Sequence, residues 1–244
     1  MTSQELYTRL REHLEDRAHA RGLADDTIVV RAHALSPEEA IGNPEHDDYP
    51  LVVGRERLME AELRGALGHA FTDMYGQWSG RIRDVCAMEP TNNFRRAILV
   101  CTLNAIMRLT GEVARTVHCK DAGPVDCARE LGPFLAREGL EPPFALIGYQ
   151  PRLAEALAAL GELRIVDGDV RNIGELRAGV KVCGPGETDE ALRGSGCALV
   201  TGSTVVNATL VRFLDLGVPT VFYGVTGAGA ASVLGLTRYC PLAV

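Results

Sequence analysis

The chain has 244 residues, with 25 Lys+Arg against 32 Asp+Glu and a formal net charge of −7. Its 46% hydrophobic and 23% charged residues can bury a real core, which excludes a disordered chain. The acidic balance and the lack of a basic stripe exclude a nucleic-acid partner held through its phosphates.

Residues 3–21 read as an amphipathic helix, with Leu6, Leu10 and Leu14 four apart on one face and Gly22 as its stop. Charges at Glu5, Arg9, Arg11 and Glu12 interrupt the apolar segment that a secretory signal needs. No apolar run approaches the roughly 18–20 residues that span a bilayer. The expectation is a cytoplasmic protein with no membrane partner and reduced thiols. Residues 27–34 alternate as a strand does. Ser36-Pro37-Glu38-Glu39 opens a short helix, and a Pro- and Asp-rich loop follows as far as Pro50. A loop this long and polar is more often functional than decorative. The sequence predicts a short helix over 55–63, a turn-rich segment through Gly80, and a helix over 94–110 capped by Asn93. Asn104 interrupts the apolar pattern of that last helix. It reads either as a buried amide satisfied by backbone groups or as a side chain facing a site.

At Glu141-Pro142-Pro143 the pattern changes. Short apolar runs at 144–147, 163–167, 180–182, 197–201 and 219–223 read as buried parallel strands, with a helix from Pro151 to about Leu160 and helical segments between several others. The second half is therefore doubly wound α/β, and the chain divides into residues 1–140 and 141–244, two domains sharing a cleft.

In open α/β sheets, ligands collect outside the carboxyl ends of the strands. The tips here offer Gly148, Tyr149, Gln150 and Pro151 at a helix start, Asp167 where a carboxylate can accept from a ribose diol, and Thr201, Gly202, Ser203, Thr204 and Asn207 as a small anion or carboxylate cradle. The same tips also suit the ordinary tight turns of such a domain. GxGxxG and GxxxxGK[ST] are absent, which disfavours a standard dinucleotide or P-loop site.

Seven cysteines, an odd count without a CxxC pair, fit neither a disulfide framework nor a structural zinc site. Cys86, Cys101, Cys183 and Cys197 read as core. His118 and Cys119, with Cys127 and Cys240, form a soft donor set suited to a thiophilic metal, and a divalent transition metal is the cofactor it would accept. Adjacent His118 and Cys119 can share a metal only from a loop. Carboxylates gather in the first half, where Glu39, Asp48 and Glu56 can act as general acid or base or as hard metal ligands. A metal ion or cationic substrate suits that charge better than a polyanion. Neither GxSxG nor HExxH occurs.

Several short blocks together resemble a known family. They include Ala40-Ile41-Gly42-Asn43-Pro44, Gly54-Arg55-Glu56, Gly68-His69-Ala70-Phe71-Thr72-Asp73, Leu103-Asn104-Ala105 and His118-Cys119-Lys120-Asp121. Ile147-Gly148-Tyr149-Gln150-Pro151, the segment from Thr201 to Thr209, Phe222-Tyr223-Gly224-Val225-Thr226 and Arg238-Tyr239-Cys240 complete the set. In order and spacing, over nearly the whole chain, they are similar to the uncharacterised heavy-metal-chelation domain family. Arg55 stands where that family has Lys, and His69 where it has Gln. The resemblance implies an α+β domain like the N-terminal domain of enolases, then a Rossmann-like parallel-sheet domain, with a site in the cleft between them that is partly reminiscent of methyltransferases. It also implies heavy-metal chelation, or condensation or hydrolysis of pterin-, flavin- or siderophore-like molecules.

The expectation is a small-molecule enzyme or metallophore-pathway protein. Its ligand lies against residues 148–151, Asp167 and residues 201–207, with acid–base or metal-ligand groups from Glu39 and Asp48 and orientation by Asn104. The alternatives are a non-catalytic metal-binding or trafficking protein and a methyltransferase-like binder of an adenosyl cofactor. Association into a homo-oligomer is left open.

Overall fold

The structure, a computed structural model, describes residues 1–23 and 29–244, with residues 29–31 as backbone alone. The first helix, α1 (Ser3–Ala20), starts at a reciprocal cap: Glu5 N donates to Thr2 Oγ1, and Thr2 N to the Glu5 carboxylate. Leu6, Leu10 and Leu14 are fully buried, as their spacing predicts. Strand β1 (Val29–Ala34) follows, so Thr27 and Ile28 of the predicted strand lie outside the described residues.

After α2 (Pro37–Ile41) and α3 (Pro50–Val53) come β2 (Arg57–Leu63) and β3 (Ala66–Thr72), then β4 (Trp78–Arg81). These four strands form an antiparallel sheet in the order β3-β2-β1-β4. Here the structure corrects two expectations, because the predicted helix at 55–63 is a strand and the predicted turn-rich segment through Gly80 holds two more. Leu58, Met59, Glu60, Ala61 and Leu63 are good helix formers, but tertiary burial outweighs propensity. Met59, Ala61 and Leu63 enter one core, Leu58 enters another on the opposite face, and Glu60 lies opposite His69 of β3. The two-residue connection Arg64-Gly65, both with positive φ, suits the twist of a tight hairpin.

The helices α4 (Ile82–Ala87), α5 (Asn93–Leu109) and α6 (Gly123–Arg137) precede the second sheet. The cap of α5 is Asn92, whose side chain accepts from Arg95 N, one residue earlier than predicted. The second half runs β5 (Phe144–Ile147), α7 (Pro151–Leu160), β6 (Leu163–Val166), β7 (Leu176–Arg177), β8 (Val180–Cys183), α8 (Thr188–Leu192), β9 (Cys197–Thr201), β10 (Thr220–Tyr223), α9 (Ala228–Leu234) and β11 (Arg238–Tyr239). Its sheet order is β11-β10-β9-β5-β6-β8-β7, parallel throughout except for the β7–β8 hairpin. Numbered among themselves along the chain, the six parallel strands lie 3-2-1-4-5-6 across the sheet. That is the doubly wound Rossmann arrangement, with its reversal between β5 and β9.

Side chains alternate across this sheet. Phe144 and Leu146 face α6 and α7, whereas Ala145 and Ile147 face α1 and α5. The helix α6, expected to belong to the first domain, thus packs on the second sheet through Leu131 and Leu135. In turn α5 lies between the two sheets. It meets β3 closely at Gly68, where a Cβ would stand 2.2 Å from Cys101 O. No helix among the described residues is long and apolar enough to cross a membrane.

Candidate functional site

A cavity of about 910 Å³ opens at the carboxyl ends of β5, β6, β9 and β10. Its opposite wall comes from residues 47–51 and 53–56, from Phe71 and Asp73, and from the irregular segment carrying His118 and Cys119. The cleft therefore sits at the strand-order reversal, where this sheet topology leaves a crevice.

The β5 turn is fixed from beneath. Gly148 has φ +88°, and a Cβ there would lie 2.6 Å from the Thr201 methyl and 3.0 Å from Tyr223 Oη. Tyr223 Oη donates to Gly148 O at 2.6 Å. Tyr149 N donates to Asp167 Oδ2 at 2.5 Å, and Asp169 N donates to Asp167 Oδ1 at 2.7 Å. Asp167 thus borders the cleft but also ties two of its loops together. Gln150 caps α7 by accepting from Leu153 N, and Pro151 is buried in the first turn of that helix. After β9, Thr201 Oγ1 accepts from Ser203 N, while the Thr204 hydroxyl donates back to Thr201 O at 2.7 Å. Gly148, Tyr149, Gln150, Asp167, Thr201, Gly202, Ser203 and Asn207 all line the cleft; Pro151 and Thr204 do not.

The first half contributes differently from expectation. Glu39 lies outside the lining, and its carboxylate accepts from Ser36 N at 2.8 Å in the cap of α2. An N3 carboxylate in a capping box is already engaged by the backbone. Asn104 is fully buried beneath the cleft: Nδ2 donates to the carbonyls of His69, Val225 and Thr226, and Oδ1 accepts from Gly229 N at 2.7 Å. It is the buried amide satisfied by backbone, clamping β3, the loop after β10 and α9 onto α5. Asp48 does reach the cleft. Its Oδ2 accepts from Arg152 Nη2 at 2.6 Å, an ion pair joining the two halves. Asp48 Oδ1 and Tyr49 Oη are buried with no hydrogen-bond partner among the described residues.

Glu56 is the most perturbed carboxyl of the cleft. Burial, with the charges of Asp167, Asp73 and Asp169 adding to it, pushes its pKa up to about 7. The sequence marks Glu56 as one of three acid–base carboxylates but not as the one so perturbed. Its three acidic neighbours come from the end of β3 and from the loop after β6, so their proximity exists only in the fold. The neighbouring ions are engaged elsewhere: Asp169 pairs with Arg171, and Asn93 Nδ2 donates to Asp73 at 2.6 Å.

His118, Cys119 and Cys240 line one wall together with Cys127. The irregular segment that two adjacent ligands would require is present. Burial pulls the His118 imidazole down to about 4, so it is neutral near pH 7, and its Nδ1 is buried without a partner. Its ring packs edge-on against Phe71, 5.6 Å between centroids. Burial and the neighbouring thiols push Cys119 and Cys127 up to about 12, and burial raises Cys240. Among the described residues no three His, Cys, Asp or Glu side chains are grouped closely enough to hold a metal ion, so the donor set read from sequence does not form a chelate. His69, at the position where the family resemblance expects Gln, is a buried strut instead: its Nδ1 accepts from His118 N, and its Nε2 faces Glu60 at 2.8 Å.

Two solved structures share this fold. A DUF364 family protein of unknown function from Pyrococcus horikoshii is 15% identical with a TM-score of 0.57, over 91% of this chain and 80% of its own. A second DUF364 family protein of unknown function, from Desulfitobacterium hafniense DCB-2, is 14% identical with a TM-score of 0.51, over 73% and 72%. No protein-family profile matches the chain, and no curated protein does. At these identities the likeness speaks for the fold and not for the chemistry, and it does not carry the heavy-metal-chelation name. The chain is thus similar in fold to DUF364 proteins whose own function is unknown.

Proposed function

We propose that the chain is an enzyme acting on a small molecule held in this cleft, with Glu56 moving the proton. One observation carries the reading: a carboxyl pushed up to about 7, facing a large cleft at the strand-order reversal of a parallel sheet. Near neutral pH such a carboxyl is present in both forms, which general acid–base catalysis requires at that pH. Residues 148–150 and 201–203 would position the ligand, with Asn207 and Asp167 at its edge and Asp48 orienting it from the other half. The motif resemblance supplies the chemistry, namely condensation or hydrolysis of a pterin-, flavin- or siderophore-like compound in a metallophore pathway.

The test is to incubate the purified chain with a small-molecule extract and with such compounds, following each by mass spectrometry. The wild type should consume at least one compound, and Glu56→Gln should slow that turnover on the order of a hundredfold or more. Ser203→Ala and Asp48→Asn should lower it as well. Turnover by Glu56→Gln equal to wild type overturns the role.

A second reading, non-catalytic binding or trafficking of a thiophilic metal, rests on His118, Cys119, Cys127 and Cys240 all lining the cleft with His118 Nδ1 unpaired, and it requires these side chains to draw together on the metal. Protein purified without chelator would then carry about one metal per chain, lost in His118→Ala and Cys119→Ser. A third, an adenosyl cofactor as in methyltransferases, rests on the Rossmann-like strand order, and S-adenosylmethionine belongs in the same ligand screen.

A further inference from the structure

We propose that the ligand of this cleft is an organic cation, an amine or amidine seated against Glu56, with a second hydrogen-bonding group at Tyr49 and Asp48. The inference rests on the reading of the cleft as a small-molecule site and names the class of molecule it takes.

The sign of the charge comes first. Six carboxylates line the cleft (Asp47, Asp48, Glu56, Asp73, Asp167 and Asp169) against three guanidinium groups, Arg55, Arg171 and Arg177. An anionic ligand would add to that repulsion, whereas a cation relieves it.

Most of these carboxylates already have partners. Asp48 is paired with Arg152, Asp169 with Arg171, Asp73 with the Asn93 amide, and Asp167 with two backbone N–H groups. Glu56 has no hydrogen-bond donor from the protein among the described residues that would hold its carboxylate. Asp73, Asp167, Asp169 and the Tyr223 phenol interact with it, while its chain neighbour Arg55 and Arg171 act on Asp169, with which Arg171 is paired. A half-buried carboxyl among like charges is short of one positive charge, which a protonated nitrogen supplies through charge-assisted hydrogen bonds. The carboxylates are also too spread out to chelate, since no three of them converge as a metal group among the described residues. A cation that hydrogen-bonds along the wall suits that spacing better than a bare ion.

The second observation is independent of Glu56. Tyr49 is 2% exposed and borders the cleft, yet its buried Oη has no partner, and neither has Asp48 Oδ1 beside it. Burial raises the Tyr49 pKa, so the phenol keeps its proton and can both donate and accept. Buried polar groups are ordinarily paired; of the cleft-lining residues with an unpartnered buried atom (Asp48, Tyr49, His118 and Arg177), the adjacent Asp48 and Tyr49 mark a place for a ligand group bearing an N–H or O–H. The apolar body between the two polar ends would lie along Leu51, Phe71 and Leu153.

Benzamidine, neutral benzamide and anionic benzoate differ in charge at nearly constant shape. Calorimetric titration and thermal shifts of the full chain at pH 8 should show benzamidine binding at least tenfold tighter than either analogue. Its affinity should weaken below pH 7, approaching tenfold per unit as Glu56 takes up a proton. Glu56→Gln should lose at least tenfold in affinity together with that pH dependence. 4-Hydroxybenzamidine should bind more tightly than benzamidine to the wild type, and Tyr49→Phe should erase the difference. Benzamide or benzoate binding as well as benzamidine overturns the proposal while leaving the cleft a small-molecule site, and so does unaltered benzamidine binding by Glu56→Gln. Failure of all three probes overturns it too; the metabolite comparison then decides separately whether the enzyme reading survives.

Discussion

Glu56 binds its proton more tightly in the fold, at about 7, than in the unfolded chain, where a glutamate sits near 4.5. Its favourable contribution to folding is therefore complete below pH 4.5 and is lost as pH rises through 7. A gap of roughly 2.5 units sets an upper bound of about 3 kcal/mol, which solvent at the cleft mouth reduces to about 1–2 kcal/mol. Glu56→Gln should consequently raise Tm by about 2–6 °C at pH 8 and change it little at pH 4.5. Differential scanning calorimetry at the two pH values checks this, and an equal shift at both would contradict the electrostatic cause. His118 has the opposite sense. Its pKa falls from 6.5 to about 4 on folding, so the stability tied to its neutral form is lost as pH drops from about 6.5 to 4. An NMR titration should show the His118 ring unprotonated down to about pH 4; a midpoint near 6.5 would mean that the ring is solvated.

In α5, a single polar side chain does what the surrounding apolar positions cannot. Asn104 satisfies carbonyls of β3 and of the loop after β10, together with the N–H of Gly229, so the helix, the first sheet and the second sheet are locked in one register. Asn104→Ala strands several buried backbone groups and should cost about 3–4 kcal/mol in urea unfolding, with little change in slope. A loss below about 1 kcal/mol would show that water replaces the amide. The interruption of an apolar pattern was visible in the sequence, and so were both of its readings. The choice between them was not, because the partners lie 35, 121, 122 and 125 positions away. The β2 strand teaches the same lesson in reverse. Its residues favour a helix locally, and pairing with β1 and β3 overrides that preference.

The two sheets share one core: buried residues of α1, α5, β2, β5, β9 and β10 form a single contiguous cluster. Heating should therefore give one cooperative transition, and residues 141–244 expressed alone should not fold, since α1, α5 and α6 cover their sheet. Two resolved calorimetric transitions, or a folded 141–244 fragment, would show two independent domains. The change of pattern at Pro142-Pro143 is visible in the sequence, although α6 before it packs on the second sheet. The parallel strands, their tips and the α1 seam were legible too, since short apolar runs, turn residues and a four-residue spacing are local signals. Strand order, the partner of each carboxylate and the proton affinity of Glu56 were not, because each depends on groups brought together from distant segments. Many of the residues that line the cleft were written along the chain in short blocks. Packing then ties Glu39 into a helix cap and Asn104 into the core, and among the described residues it gives Glu56 no ion-pair partner.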